Sequence, residues 1–199
     1  MKLVLFLEEE SAKALLEKLL PRILPTDVTM QFVVFEGKSD LEKGLPKRLR
    51  GWRDAGRECR FVVLRDRDGG DCRRVKQKLE DLCRQAGREG VLIRIACREL
   101  ESWYLGDLKA VESALAARGV TARQKTRKFR DPDALGNPFQ ELTRLAPGYQ
   151  KIAGSRAMGG VMDPEHNCSI SFNAFIRGIR RLLPSGTGNP TTRDEMREA

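Results

Sequence analysis

Histidine is all but missing from this chain of 199 residues: His166 is the only one. A Ser-His-Asp arrangement therefore has a single residue to rest on, and neither Ser169 nor Ser171 stands at a convincing spacing from it. Those serines read as turn and cap residues. Cysteine occurs five times (Cys59, Cys72, Cys83, Cys97, Cys168), an odd count with no C-x-x-C pair. That excludes a disulfide framework and a structural zinc site, and suits reduced, partly buried thiols. Cys168 beside His166 offers two ligands in a polar loop, too few for a metal. No apolar run approaches the roughly 20 residues that span a bilayer; the longest, such as VTMQFVVF, are strand-sized. The opening MKLVLFLEEE turns acidic at once and has no small-residue cleavage pattern, so a cytoplasmic protein with no membrane partner is expected. No P-loop is present, which excludes an autonomous ATPase.

Acids are also missing, but only locally. The net charge is +9, from 37 Lys and Arg against 28 Asp and Glu. Between Ser113 and Arg130 there is no carboxylate at all, while Arg118, Arg123, Lys125, Arg127, Lys128 and Arg130 crowd together. A second basic run, Lys43 to Arg60, is diluted by Asp54 and Glu58. Clustering of this kind is the electrostatic footprint of a nucleic-acid partner, with DNA ahead of RNA.

Four short apolar runs, Leu3 to Leu7, Val28 to Phe35, Phe61 to Leu64 and Val91 to Ala96, alternate with segments of helical spacing. Ala12, Leu15, Leu16 and Leu19 recur at intervals of three and four, as do Leu41, Leu45, Leu49 and Trp52, and Val75, Leu79, Leu82 and Ala86. Ser11, Asp40 and Asp71 stand at expected N-cap positions. This β-α alternation, with strands that are apolar throughout, predicts an α/β fold: a four-stranded, mainly parallel sheet with helices on both faces. A helical C-terminal extension follows. RELESWYLGDLKAVESALAARG reads as one or two helices, a short helix lies near FQELTRLA, and Ser171 is placed to cap a final helix striped with Phe172, Phe175, Ile176, Ile179, Leu182 and Leu183. Residues 1–183 form the expected domain; 184–199 have too little apolar content to pack and read as a disordered tail. Trp52 and Trp103 could stack bases, but their spacing beside leucines assigns them to the core.

In an open parallel sheet, chemistry gathers beyond the carboxyl ends of the strands. Here the first strand runs into Glu8-Glu9-Glu10, the third into Asp66-Arg67-Asp68, and the fourth into Glu99 and Glu101. Like charges brought together resist desolvation, so such a cluster persists where a cation neutralises it. Oxygen ligands without His or Cys select Mg²⁺ or Mn²⁺. In an extended or turning segment Asp66 and Asp68 project to one side while Arg67 points elsewhere, and Gly69-Gly70 permits a tight turn.

Glu at the end of strand one and D-x-D at the end of strand three resemble the Toprim domain of topoisomerases, primases and overcoming-lysogenisation-defect nucleases. More narrowly, FLEEESAKALLEKLLPRIL, FEGKSDLEKGLPKRL, VVLRDRDGGDCRRVKQKL, ELESWYLGD, YQKIAGSRAM and CSISFNAFIRGI together resemble an uncharacterised bacterial family of stand-alone Toprim-like proteins. The resemblance implies a Rossmann-like Toprim fold, with Glu8 as general acid/base and metal ligand and Asp66 and Asp68 as metal ligands. Glu99 and Glu101 are implied as further acidic ligands. Toprim domains usually carry Gly after the glutamate, where this chain has Glu9, so which of Glu8, Glu9 and Glu10 faces the site stays open.

With only Tyr104 and Tyr149 as tyrosines and no room for a DNA gate or primase modules, a topoisomerase or primase is not expected. The remaining reading is a nuclease performing phosphodiester hydrolysis with Mg²⁺ or Mn²⁺, with Glu8, Asp66, Asp68 and Lys151 as the catalytic set. Arg123, Lys125, Arg127, Lys128 and Arg130 would hold flanking phosphates. The resemblance also implies a partner ATPase of the SMC or AAA type, in anti-phage defence. The alternative is a non-catalytic, metal- and nucleic-acid-binding regulatory subunit of such an ATPase; a receiver-like phospho-acceptor domain leaves the D-x-D and the terminal helices without a role.

Overall fold

The structure, a computed structural model, describes residues 1–53, 58–67 and 69–183. Asp68, Asp54 and Arg57 of the second basic run, and the tail at 184–199 lie outside the described residues. The four expected strands are β1 (Lys2–Leu7), β2 (Thr29–Val34), β3 (Cys59–Asp66) and β4 (Leu92–Ala96). They form one all-parallel sheet in the order β2-β1-β3-β4.

β1 is apolar at every position from Leu3 to Leu7 because both its faces are covered. Leu3, Leu5 and Leu7 point into a large core shared with α1 (Glu10–Leu19), α4 (Glu101–Leu105), α5 (Leu108–Ala114), α6 (Pro138–Leu145), α7 (Lys151–Val161) and α8 (Ile170–Leu182). Val4 and Phe6 point the other way, into a smaller core with α2 (Lys38–Gly51) and α3 (Cys72–Gln85). The period of two along the strand thus sorts the helices into two layers. Leu15, Leu16 and Leu19 of α1 are fully buried, each contributing about 1.5–3 kcal/mol relative to exposure. Trp103 is wholly buried, and Trp52 packs edge-on against Phe6 and Phe61, as core residues should. Among the described residues no helix is long and apolar enough to cross a membrane.

Helix starts differ from expectation in three places. Glu9, extended at φ −153° and ψ 164°, is the N-cap residue of α1, and the Ser11 hydroxyl donates back to its carboxylate instead of capping the helix. α2 begins after Gly37, whose φ of 95° favours glycine, while Asp40 accepts from the Glu36 amide at 3.1 Å. α8 is capped by Ser169, which accepts from the Phe172 amide at 3.1 Å; Ser171 is instead held by Asp133 through its own amide at 2.7 Å. Asp71 caps α3 as expected, accepting from the amides of Arg73 and Arg74 at 2.9 and 3.0 Å.

α7 has no counterpart in the expected elements. Gly154, Gly159 and Gly160 weaken its helical signal, but one of them, Gly159, lets it lie directly on α1. A Cβ at Gly159 would stand 2.2 Å from the Leu15 carbonyl oxygen. This packing brings Lys151, the first residue of α7, against the β1-α1 junction.

Candidate functional site

β3 and β4 end level with one another, Asp66 pairing with Ala96, and β1 ends two residues earlier, with Leu7 opposite Leu64. The residues that follow share one edge of the sheet, and the three glutamates after β1 part company there. Glu8 turns in, half-buried; its carboxylate accepts from the Asp66 amide at 3.3 Å and lies 3.6 Å from the Arg65 guanidinium. Arg65, itself buried, also reaches Glu42 at 2.6 Å, and Lys78 grips the other oxygen of that carboxylate at 2.6 Å. Burial would raise the Glu42 carboxyl, but Lys78 and Arg65 outweigh it and hold it below its ordinary range. Glu9 faces α7, where the Lys151 ammonium donates to it at 2.7 Å. Glu10 is exposed and pairs with Lys13. Because α1 starts at Glu10 with Glu9 still extended, neighbouring glutamates meet three different surroundings.

Asp66 lies half-buried in the middle of this group. Its carboxyl is pushed well above the ordinary aspartate range, first by desolvation and then by Glu9, Glu101 and Glu8, with Lys151 opposing. Beneath it, Glu101 is almost wholly buried and accepts from the Tyr149 hydroxyl at 2.9 Å. The other Glu101 oxygen is buried without a partner among the described residues. Desolvation raises the Glu101 carboxyl too, despite Lys151, its own backbone amide and Tyr149. Tyr104 donates to Ser155 at 2.7 Å, and Ser155 donates to the Lys151 carbonyl at 2.6 Å, fixing the first turn of α7. Lys151 keeps its proton more firmly than usual: desolvation works against it, but Glu9, Glu101 and Asp66 prevail.

Of the expected site residues, the structure thus brings together Glu8, Asp66, Glu101 and Lys151. Asp68 lies outside the described residues. Glu99 is drawn elsewhere: its carboxylate accepts from the Phe139 amide at 2.8 Å, in the first turn of α6, where a helix N-terminus favours an acid. Glu9, left open between Glu8 and Glu10 by the sequence, also faces this group through Lys151; Tyr149, Tyr104 and Ser155 were not expected at the site. Nothing in the sequence marked the tyrosines, which are linked to it only through the fold.

Arg123, Lys125, Arg127, Lys128 and Arg130 are all exposed. They surround buried Phe129, with Arg123 and Lys128 over its ring at 5.2 and 5.6 Å. Lys128 also pairs with Glu141 of α6 at 2.5 Å, and Arg127, Lys128 and Arg130 line one shallow depression. α6 joins this basic segment to the acidic edge, through Glu99 on one side and Phe139 against Tyr149 on the other.

Residues 7–180 match a family described as a domain of unknown function, DUF4276. The chain belongs to the DUF4276 family. The matched span takes in the whole acidic edge, the basic segment and nearly all of α8. No curated protein and no solved structure matches the chain.

The acidic edge of this DUF4276 chain suits a hard cation. Its donors are carboxylate oxygens: Asp66 resists ionising through burial and beside Glu9, Glu101 and Glu8, Glu101 does so through burial, and one Glu101 oxygen is buried with no partner among the described residues. Among the described residues no group of three or more His, Cys, Asp or Glu is set to hold a metal. Mg²⁺ usually keeps several waters and binds through one or two carboxylates and the substrate's phosphates rather than in an all-protein cage.

Proposed function

We propose that this chain is a Toprim-like nuclease that hydrolyses phosphodiester bonds of nucleic acid, DNA ahead of RNA, with Mg²⁺ or Mn²⁺. The observation that carries the reading is Asp66, a carboxyl at a strand end whose ionisation is opposed by desolvation and then by Glu9, Glu101 and Glu8, beside a lysine that holds its proton more firmly than usual. Such displaced carboxyls mark sites where charge is to be handled.

Glu8 and Asp66, with Asp68, are the residues to hold the cation. When bound, a divalent ion offsets charge on a phosphate and eases deprotonation of an attacking water. Glu8 is positioned for this by the Asp66 amide and Arg65. Lys151, shared with Glu9, donates a proton-bearing ammonium toward charge that develops on the phosphate oxygens. Glu101, buried and hydrogen-bonded to Tyr149, adds to the desolvation and the Glu9 charge that raise the proton affinity of Asp66. The exposed run from Arg123 to Arg130 contacts flanking phosphates without reading sequence.

A second reading is favoured by the hold that Glu9 has on Lys151. In it the chain is a metal- and nucleic-acid-binding regulatory subunit of an SMC- or AAA-type ATPase. In either case a cytoplasmic, anti-phage setting is proposed on resemblance alone. Purified protein incubated with plasmid and linear DNA and Mn²⁺ or Mg²⁺ separates the two. The nuclease reading expects nicking or degradation that Asp66→Ala abolishes. Metal binding without cleavage, with the partner ATPase present as well, sinks it and favours the regulatory subunit.

A further inference from the structure

Two arginines at the acidic edge lack what every other sheltered arginine has. Arg65, Arg88 and Arg94 are buried or half-buried, and each has acceptors: Glu42 for Arg65, the Leu49 and Trp52 carbonyls for Arg88, the Ala174 and Ile93 carbonyls for Arg94. Arg67 and Arg98 are half-buried too, their Nε atoms fully so, and neither guanidinium has a hydrogen-bond or ion-pair partner among the described residues. A guanidinium carries five donors and cannot shed its charge. Buried donors are nearly always satisfied, and leaving one unmade costs about 1–3 kcal/mol, more for a charged group.

The two arginines are neighbours in the fold. Arg67 follows β3 directly and Arg98 comes two residues after β4, strands that pair in parallel with Asp66 opposite Ala96. The Arg67 amide donates to the Ala96 carbonyl at 2.9 Å, and the Arg67 charge is felt at the Cys97 thiol, next to Arg98 in the chain. Paired strands lie about 4.8 Å apart, so both side chains start from one short stretch of the edge that carries Glu8 and Asp66. Arg98 also has a φ of 68°, left-handed backbone that a non-glycine residue adopts at a cost and that concentrates at functional sites.

Two planar forks with unused donors match an anion whose oxygens can be gripped in pairs, which is the geometry of phosphate. We propose that Arg67 and Arg98 form a phosphate clamp, holding the nucleic-acid phosphate adjacent to the one addressed by Glu8 and Asp66. The clamp's place along the substrate rests on the hydrolytic reading of that edge; the anion site itself does not. Along a nucleic acid the phosphates repeat, so one can sit on the arginines while the next reaches the carboxylates.

The test uses the full chain with a chelator and no divalent ion, and compares wild type with Arg67→Gln, Arg98→Gln and the double variant. Probes are sodium phosphate against sodium chloride at equal ionic strength, read by thermal melting, and a single-stranded oligothymidylate, read by calorimetry. Wild type is expected to melt higher in phosphate than in chloride, with the difference at least halved in each single variant and gone in the double. Oligothymidylate affinity should fall about tenfold per arginine, the size of one charge-assisted hydrogen bond. In chloride alone the variants should melt no lower than wild type, since each loses an unpaired charge. A clear fall in chloride melting makes the arginines structural and overturns the clamp. So does a double variant that keeps its oligothymidylate affinity, whatever free phosphate does. Because every arm reads binding without metal, a chain that cuts no DNA can still pass, and a nuclease can still fail.

Discussion

Gly159 of α7 lies on the backbone of Leu15 in α1 so closely that a β-carbon would stand 2.2 Å from the Leu15 carbonyl oxygen. Backbone cannot swing aside as a side chain can, so Gly159→Ala forces the helices apart. Overpacking of this kind costs about 1–3 kcal/mol, a fall of roughly 2–4 °C in melting temperature per kcal/mol for a chain of this size. Because α7 delivers Lys151 to Glu9, the proposed nuclease activity should fall further than stability alone explains. Gly160, with open space around its own missing β-carbon, is the control: Gly160→Ala should leave melting unchanged or raise it, through helix propensity. Equal losses from the two substitutions would refute the close packing as the cause.

Asp66 makes a pH-dependent prediction. Its folded-state carboxyl binds a proton more tightly than the ordinary aspartate value of 3.8 allows, mainly through desolvation and the nearby glutamates. The folded form therefore binds more protons than the unfolded one, and stability present below 3.8 is lost as pH rises through the raised value. At neutral pH the raised proton affinity of the folded-state carboxyl is therefore a cost. Asp66→Asn should melt higher than wild type at pH 7 in chelator, and the gap should close toward pH 4. Adding Mn²⁺ should raise wild type and leave Asp66→Asn where it was. A variant that melts lower than wild type at pH 7 contradicts the crowded-carboxylate account.

The sheet was legible because burial on both faces leaves β1 and β3 apolar, and α1, α2, α3 and α8 repeat leucine, valine or phenylalanine at helical intervals. The strand-end acids followed from that topology. What the sequence did not reveal depends on single dihedral angles or on distant contacts. Glu8, Glu9 and Glu10 are chemically identical, and only the extended backbone of Glu9 sends them to different partners. Ser169 and Ser171 are two hydroxyls near one helix start that both donate to Asp133, 36 and 38 residues away, and only Ser169 also accepts from the Phe172 amide. α7 went unseen because the glycines that let it pack are the residues that erase a helical pattern. Tyr149 meets Glu101 across 48 residues, with no local signal on either side.

That hydrogen bond can be weighed directly. Tyr149→Phe removes the donor to Glu101 and leaves a buried carboxyl whose other oxygen already lacks a partner among the described residues. The loss should be about 1–3 kcal/mol. The Glu101 carboxyl is raised by burial even with Tyr149 in place, and without that donor it should rise further. The deficit of the variant should therefore grow with pH, small near pH 4 and largest above neutrality. Tyr104→Phe gives up only the bond to Ser155 and should lose less, with a flatter pH response. Melting curves at pH 4, 6 and 8 for the three proteins decide it; a Tyr149→Phe deficit independent of pH would mean that the hydroxyl does not serve the ionised carboxylate.

The basic segment is not uniform, and the structure ranks its members. Lys128 is already paired with Glu141 at 2.5 Å and leans over Phe129, so part of its charge is spent within the protein. Arg127 is exposed, makes no ion pair among the described residues and lines the same depression. Arg127→Ala should therefore weaken DNA binding more than Lys128→Ala. Removing a side chain that neutralises one phosphate should lower the slope of log affinity against log salt by about 0.7–0.9, depending on whether the DNA is single- or double-stranded. Glu141→Gln should act in the opposite direction, freeing Lys128 and strengthening binding at low salt. Titrations of labelled DNA at several salt concentrations measure both quantities. If Lys128→Ala is the more damaging change, or if Glu141→Gln has no effect, the ranking is wrong; if neither Arg127→Ala nor Lys128→Ala changes affinity or slope, the phosphates lie along a different face and the acid-free run is only a solvated surface.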